Sequence, residues 1–321
     1  MREDKLYLVT HAQLSSGYQT AQIAHVVADF IQNNTDIANT WHFTSNSLIV
    51  LEAADAAALS VLQERAKARG IVVQEFREPD LGDEITALAF APGENTRKFL
   101  SNLPCAGKNL HNQSVLKERE HKIRSMSFAM MDCEQTAGLN VLQHGRSVRE
   151  HYFALLNHMN GTVDLSGEPN WRIPEWVDTY AEQILATLPD RYIMDRYLTL
   201  HDSGKPAVRE VDAHGKQHFP DHAASSERVY RETFGDEADE TVAYLIAHDM
   251  DVHMLKALGV PEFVKNPLAF AQLLAGLSEV TSNAAMFGGV ESTSFKIKFK
   301  QLDQRGKAMC KLMFDDKEKG V

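Results

Sequence analysis

The stretch YLTLHDSGKPAVREV, from Tyr197 to Val211, places an imidazole beside a carboxylate at the end of an apolar run. The helical spacing of Tyr197 and His201 puts the histidine on the buried face of a predicted helix, and Asp202 enters the same region. A buried carboxylate is costly unless it is paired or bound to a cation. His201 and Asp202 therefore predict half of a metal site, against the plainer interpretation of a helix end with polar residues.

Three further histidines fall on predicted apolar helix faces in the second half of the chain. His144 lies three residues after Val141, His222 opens a predicted helix, and His248 lies four residues after Tyr244. One histidine on an apolar face is usually a satisfied core residue. Four on four separate helices favour a metal site, because imidazole and carboxylate ligands suit Fe, Mn, Zn or Mg.

Taken in chain order, the motifs QHGRSV, HDSGKP, FPDHAAS and LIAHD resemble the HD superfamily of metal-dependent phosphohydrolases. The resemblance covers residues 136–287 and is closest to the HD domains of bacterial tRNA nucleotidyltransferases. That family ends its ligand set with an Asp in a late helix, for which this chain offers Glu279 as the nearest carboxylate. The metal ligands implied by the resemblance are His144, His201, Asp202, His222, His248 and Glu279.

Two residues of the HDSGKP segment, Asp202 and Lys205, are predicted to have catalytic roles. Asp202 would be both a ligand and a catalytic residue, and Lys205 would contact a substrate phosphate and offset charge in the transition state. The implied cofactor is a divalent ion, with Mn, Ni, Co, Fe and Mg all open, as is the number of ions. The SGKP segment is not a P-loop, because the upstream Gly and the following Ser/Thr of that motif are absent.

Strand and helix signals divide the chain into two predicted domains. Residues 1–108 alternate between apolar strand segments such as LYLVT and EITALAF and helical patterns, which predicts an α/β sandwich with a four-stranded mixed sheet. Residues 114–321 are dominated by helical patterns, with one hairpin-like segment, VREVDAHGKQHF. We expect the second domain to be an all-α HD-type bundle with a small β-hairpin.

The segment GYQTAQIAH, Gly17 to His25, resembles the first motif of the type 2 peptidyl-tRNA hydrolases, Gly-Lys-x-Ala-Ala-Gln-x-x-His. The resemblance extends over residues 5–104 and implies that family's α/β fold. Tyr18 stands where the family has a lysine that is important to its activity. The substrate-binding residues implied are Gly17, Gln22, His25, Asp80 and Thr86.

Composition limits the classes of partner. With a net charge of −11 the chain is not coated in positive charge, so a nucleic acid would be bound by a restricted patch. Three cysteines without a CxxC pair argue against a disulfide framework and favour a reducing compartment. The absence of a signal-peptide pattern, and of an apolar run of about 20 residues, predicts a cytoplasmic protein with no membrane partner.

Several functions are consistent with these patterns. The first is a metal-dependent phosphohydrolase acting on terminal phosphoesters of RNA or tRNA, such as a 2′,3′-cyclic phosphate. The alternatives are a peptidyl-tRNA hydrolase with an ancillary HD domain, and a binding protein that senses a nucleotide or a metal without turnover. Hydrolysis of free mononucleotides is a narrower option. The expected partner is accordingly an RNA or tRNA end, or a nucleotide.

Overall fold

The computed structural model describes residues 5–106, 113–136, 138–284 and 288–315. Contacts divide the chain into two compact units, Met1–Ser127 and Phe128–Val321. The predicted boundary at residue 108 lies outside the described residues. The division between the units falls later in the chain, inside the helix Gln113–Asp132.

The first unit is built on the predicted four-stranded mixed sheet. Its strands are β1 (Leu6–His11), β2 (Leu48–Ala53), β3 (Val73–Glu78) and β4 (Glu84–Phe90). They lie in the order β2-β1-β4-β3. β1 and β2 are parallel, while β4 runs antiparallel to both β1 and β3. The carboxyl ends of β1, β2 and β3 therefore meet the amino end of β4 at one end of the sheet, called here the motif end.

Five helices complete the described part of this unit or begin in it: α1 (Ser16–Asn33), α2 (Thr35–Thr44), α3 (Ala56–Lys67), α4 (Glu94–Phe99) and α5 (Gln113–Asp132). The α1 residues Gln22, Val26 and Phe30 are buried at a spacing of four, as expected for one face of a helix. Val26 and Phe30 pack with Leu6 and Leu8 of β1 in the core. Helix α2 was not predicted.

The second unit is helical, as predicted, and its identification as an HD bundle stays a prediction. Its helices are α6 (Val141–Met159), α7 (Glu175–Thr179), α8 (Ala181–Leu185), α9 (Arg191–Leu200), α10 (Lys205–Val208), α11 (His222–Phe234), α12 (Glu240–Ala247), α13 (Asp251–Met254), α14 (Val260–Phe263), α15 (Ala269–Ser282) and α16 (Thr293–Cys310). Within the described ranges, no helix combines the length and the apolar character that crossing a bilayer requires.

Two short hairpins accompany these helices. β7 (Glu210–Val211) pairs with β8 (Gln217–His218) in the predicted segment. A second pair, β5 (Glu134–Thr136) with β6 (Leu139–Asn140), was not predicted and leads directly into α6. Asn140 then caps α6 in a reciprocal pair with Gln143, which fixes where that helix begins.

Candidate functional sites

Four of the predicted ligands meet in the second unit, in what is called here the histidine cluster: His144, His201, Asp202 and Glu279. Asp202 Oδ2 lies 3.5 Å from His144 Nε2 and 3.3 Å from His201 Nε2. Glu279 Oε1 lies 4.0 Å from His144 Nε2. Ligand atoms of His144, His201 and Glu279 all lie within 4.8 Å of one another.

The chain brings these residues together through close helix crossings. His144 is in α6, His201 and Asp202 follow α9, and Glu279 is in α15. A Cβ on Gly145 would lie 2.2 Å from the carbonyl oxygen of Thr199, so only glycine permits this approach of α6 to α9. A Cβ on Gly204 would likewise lie 2.2 Å from the backbone nitrogen of Ser226.

Several polar atoms of the cluster are buried without a hydrogen-bond partner in the described part of the chain. They are both ring nitrogens of His144, Nε2 of His201 and Oδ1 of Asp202. His201 Nδ1 contacts the carbonyl oxygen of Leu198 at 2.8 Å, so a proton there leaves the Nε2 lone pair facing the cluster. His222 is arranged in the same way, with Nδ1 3.1 Å from Phe219 O and Nε2 3.6 Å from Asp202 Oδ1.

These positions fit a small divalent cation. Ligand atoms about 2.1 Å from one ion are about 3 to 4 Å from each other. The three separations of 3.3, 3.5 and 4.0 Å given above lie in this range, and the ligand atoms of His144, His201 and Glu279 are at most 4.8 Å apart. Nitrogen and carboxylate donors are also the set that Mn, Fe, Zn and related ions accept. The buried atoms without partners supply the lone pairs that such an ion needs.

Charge inside the cluster is unevenly distributed. Burial lowers the pKa of His144 to about 4, against the opposing attraction of Asp202. Burial also disfavours the charged form of His201, but Asp202 and Asp249 outweigh it and raise the pKa of this imidazole to about 10. The carboxylates therefore hold positive charge at His201, and a metal ion at Nε2 would replace that proton.

Lys205 lies inside the cluster rather than at its surface. Its Nζ donates to Asp202 Oδ2 at 2.6 Å and to Gln135 Oε1 at 3.0 Å, and the residue is 6% exposed. The ammonium group therefore holds Asp202 in place. A direct contact with a substrate phosphate would use the one remaining hydrogen of this ammonium group.

The structure does not bring His248 to the histidine cluster. Its side chain is 41% exposed, and its Nδ1 contacts Asp251 Oδ2 at 2.7 Å. The prediction assumed continued helical spacing from Tyr244, but α12 ends at Ala247 and the backbone turns at His248.

His253 takes a place near the cluster that the sequence did not assign to it. Its Nε2 lies 3.0 Å from Glu279 Oε2, the carboxylate oxygen that faces away from His144. Gly276, one turn before Glu279, allows this contact, since a Cβ there would lie 2.9 Å from Val252 and 3.2 Å from His253 Nε2. A histidine five residues after His248 was the only sequence signal.

At the motif end of the first unit, Gln22 forms a chain of buried hydrogen bonds. Thr86 Oγ1 donates to Gln22 Oε1 at 2.7 Å, and Gln22 Nε2 donates to Glu78 Oε2 at 2.6 Å. Gln22 is 1% exposed and Thr86 is fully buried. Both residues are therefore buried beneath the surface of the motif end, whereas the sequence predicted that they line an open cleft.

The other predicted residues of the first unit are closer to the surface. Gly17 begins α1 with open space around it, and His25 is exposed with its ring stacked on Phe76 at 4.7 Å. Asp80 Oδ2 lies 2.9 Å from Arg124 of α5. A ligand at this end could reach Gly17, His25 and Asp80 directly.

The strand order and this motif arrangement agree with one known family. Residues 5–103 match the family model of peptidyl-tRNA hydrolase PTH2. We call this span the PTH2 region. The search of curated proteins found no match to this chain. The match stops before α5, so it says nothing about the histidine cluster.

Tyr18 is the main departure within the PTH2 region. Burial raises the pKa of its phenol, against the opposing effect of Arg124, so the side chain is neutral near pH 7. It therefore supplies no positive charge at the position of the family's lysine. The nearby cation is Arg124, which comes from α5 outside the matched span.

Proposed function

We propose that the protein is a hydrolase acting on tRNA, and that the PTH2 region cleaves the ester bond between a tRNA and a peptide. The match of residues 5–103 to PTH2 carries this proposal. Water adds to the ester carbonyl, the bond to the ribose oxygen breaks, and that oxygen takes a proton. The products are the free tRNA and a peptide with a free carboxyl group.

Within this reaction, the described residues have separate tasks. Glu78 and Thr86 hold the Gln22 amide in one orientation, which fixes the first turns of α1 beneath the substrate. Gly17 leaves room for the ester at the start of α1, and His25 presents an exposed imidazole held by Phe76. Because Tyr18 is neutral, we expect slow turnover from this site.

The test is hydrolysis of an N-blocked aminoacyl-tRNA by the full chain. We expect His25→Ala to lower kcat/KM, and Tyr18→Lys to raise it by about tenfold, since a cation would stabilise charge that develops on the ester oxygen. Release of amino acid that is equal in wild type, both variants and the enzyme-free control would refute the proposal.

A second candidate function rests on the histidine cluster. We propose that His144, His201, Asp202 and Glu279 hold a divalent metal ion, with His222 beside them, for hydrolysis of an RNA terminal phosphoester. The buried atoms without partners support this candidate. A bound ion would supply Lewis acidity toward a phosphoester and toward water. Lys205 keeps the Asp202 carboxylate charged and oriented.

A tRNA fragment ending in a 2′,3′-cyclic phosphate tests this candidate in the presence of Mn, Ni, Co or Mg. Metal-dependent opening of the ring that Asp202→Ala loses would place the chemistry at the cluster. Metal binding by calorimetry without turnover of the fragment or of free nucleotides would make the second unit a metal-sensing module. Asp202→Ala also separates the two sites, because ester hydrolysis by the PTH2 region should not depend on it.

A further inference from the structure

The first unit has a positively charged pocket formed by the ends of α3 and α4. It is an open cavity of about 560 Å³. Its lining residues, called here the Arg65 pocket, are Arg65, Arg69, Ile71, Asn95, Lys98 and Phe99. Three of these are cations, one is an amide, and none is a carboxylate.

The Phe99 ring contacts the guanidinium groups of both arginines. The guanidinium carbons of Arg69 and Arg65 lie 5.3 Å and 6.0 Å from the centroid of this ring. Arg69 Nη1 also donates to the carbonyl oxygen of Arg65 at 2.9 Å. Cation–π contacts restrain the guanidinium planes, so less side-chain entropy is lost when their other N–H groups bind an anion.

Other cations nearby lie close to carboxylates, whereas Arg65 and Arg69 do not. Lys98 of the pocket is one of them, since its Nζ lies 3.7 Å from Glu94. Lys67 lies 3.5 Å from Glu64, and Arg97 lies 2.7 Å from Glu94. Across the described ranges, no carboxylate lies within 4.0 Å of Arg65 or Arg69. Glu94 therefore offsets charge at Lys98, and the surplus positive charge of the pocket comes from Arg65 and Arg69. A surplus of positive charge remains on a chain whose net charge is −11.

The Arg65 pocket is at the opposite end of the sheet from the motif end. Ile71 precedes β3 and Asn95 follows β4, while Val73 of β3 pairs with Phe90 of β4 at this end. Six-residue strands separate the two ends by about 20 Å. The pocket is therefore outside the reach of groups that surround the ester in the proposed reaction.

We propose that the Arg65 pocket binds backbone phosphate of the RNA on which the protein acts. The identity of the ligand as RNA rests on the proposed function, while the anion site rests on the geometry of the pocket. Arginine forks and a lysine are the groups that bind phosphodiester oxygens, and contacts of this kind position RNA without reading its sequence. A tRNA is long enough to reach both ends of a sheet of this size.

The test is a binding titration of fluorescently labelled tRNA with the full chain at several KCl concentrations. The variants are Arg65→Glu and Arg69→Glu. The matched control is Lys67→Glu, which makes the same change of charge between them in the sequence, at a residue that does not line the pocket. We expect each arginine variant to bind about tenfold more weakly, with the slope of log K against log salt reduced by about one. Lys67→Glu should change binding by less than about twofold.

Separate outcomes address the pocket and the proposed function. Arginine variants that bind like Lys67→Glu, or a wild type that does not bind tRNA, would overturn the inference even if ester hydrolysis occurs. Pocket-dependent binding without hydrolysis would support the inference and refute the proposed function. Inorganic phosphate and a mononucleotide are titrated in parallel. If the protein binds either of them as tightly as it binds tRNA, the pocket is a site for small anions and the RNA proposal is overturned.

Discussion

The buried amide of Gln22 in the first unit and the buried imidazoles of the histidine cluster in the second unit are satisfied differently. The contrast is between these two sites and not between the units as wholes, because both ring nitrogens of His11 in the first unit also lack a hydrogen-bond partner in the described part of the chain. In the first unit, the amide of Gln22 is satisfied on both sides, by Thr86 and by Glu78. In the second unit, both nitrogens of His144 and Nε2 of His201 are equally buried but have no hydrogen-bond partner among the described residues. The Gln22 amide is therefore satisfied by the protein itself, and we proposed above that a divalent metal ion satisfies the histidine cluster.

This difference matters because a buried polar atom without a partner costs about 1 to 3 kcal/mol. Three such nitrogens side by side would be a substantial penalty in a packed helical unit. The close crossings at Gly145 and Gly204 keep them there. A cation bound to Nε2 of His144 and to Nε2 of His201, as proposed above, would satisfy two of these three nitrogens, and four experiments test this comparison.

The largest expected effect is stabilisation of the second unit by metal. At a free metal concentration 100 times Kd, binding to the folded state alone adds about 2.7 kcal/mol to the free energy of unfolding. Calorimetric unfolding with Mn²⁺ and with EDTA measures this difference. Asp202→Ala should abolish it, while Asp251→Ala, which changes an exposed aspartate paired with His248, should keep it. Equal stabilisation of both variants would remove the basis for a metal at the cluster.

The second effect is on the affinity for metal, through the contact of His253 with the Glu279 carboxylate. By holding Oε2 of that carboxylate, His253 keeps Oε1 directed to His144. Loss of a residue that orients a ligand typically weakens metal binding 10- to 100-fold. We expect that range for His253→Ala by calorimetric titration of Mn²⁺. The control is His218→Ala, an exposed histidine that pairs with Asp212, and an unchanged Kd for His253→Ala would contradict this role.

The third effect is on the free energy of unfolding, through the hydrogen-bonded amide of Gln22. Gln22→Leu removes both hydrogen bonds of the amide and leaves Thr86 and Glu78 to be satisfied otherwise, so we expect a loss of about 1 to 3 kcal/mol in the free energy of unfolding. The loss should be the same with metal and with EDTA. Asn33→Ala, at an exposed position of the same helix, should cost less than about 0.5 kcal/mol. If the loss of stability in Gln22→Leu depended on metal, the distinction between the Gln22 amide and the histidine cluster would fail.

The smallest expected effect is on the rates at which cysteine thiols are alkylated, which report how readily the folded chain opens around them. Burial raises the pKa of Cys310 to about 12, so its neutral form is favoured in the folded protein. Stability contributed by this group is complete below the ordinary thiol pKa and decreases as the pH rises from about 9 toward 12. We expect alkylation followed by mass spectrometry at pH 8 to modify exposed Cys105 quickly and Cys310 slowly, and Mn²⁺ to slow only Cys310. Equal labelling rates would show that the second unit opens readily.

Much of the fold could be predicted because its elements are long and periodic. The alternation of apolar strands with helices predicted the mixed sheet, and the helical spacing of Val141, Val148 and Tyr152 predicted α6. Helix α2 was missed because TDIANTWHFT contains several residues of low helix propensity, and the buried Trp41 stabilises it through tertiary packing. The β5–β6 hairpin was missed because its two strands are too short to show alternation.

Within the histidine cluster, helical periodicity predicted the positions of side chains only as far as the helices extend. His144 and the His201–Asp202 pair lie on or directly after long helices, and the structure brings them together. His248 lies past the end of α12, where helical spacing no longer determines direction. The contact of His253 with Glu279 joins α13 to α15, and no local pattern in a sequence reveals such a pairing.

Hydrogen bonds to helix α5 extend the first unit beyond the span matched by the family model. Helix α5 begins after the matched span, yet Glu120 accepts hydrogen bonds from the backbone nitrogen and hydroxyl of Ser15, and Ser127 accepts one from the backbone of Gly82. A chain cut after residue 103 would leave these donors without partners in the protein. The span matched by the family model is therefore shorter than the compact unit defined by contacts, which extends to Ser127.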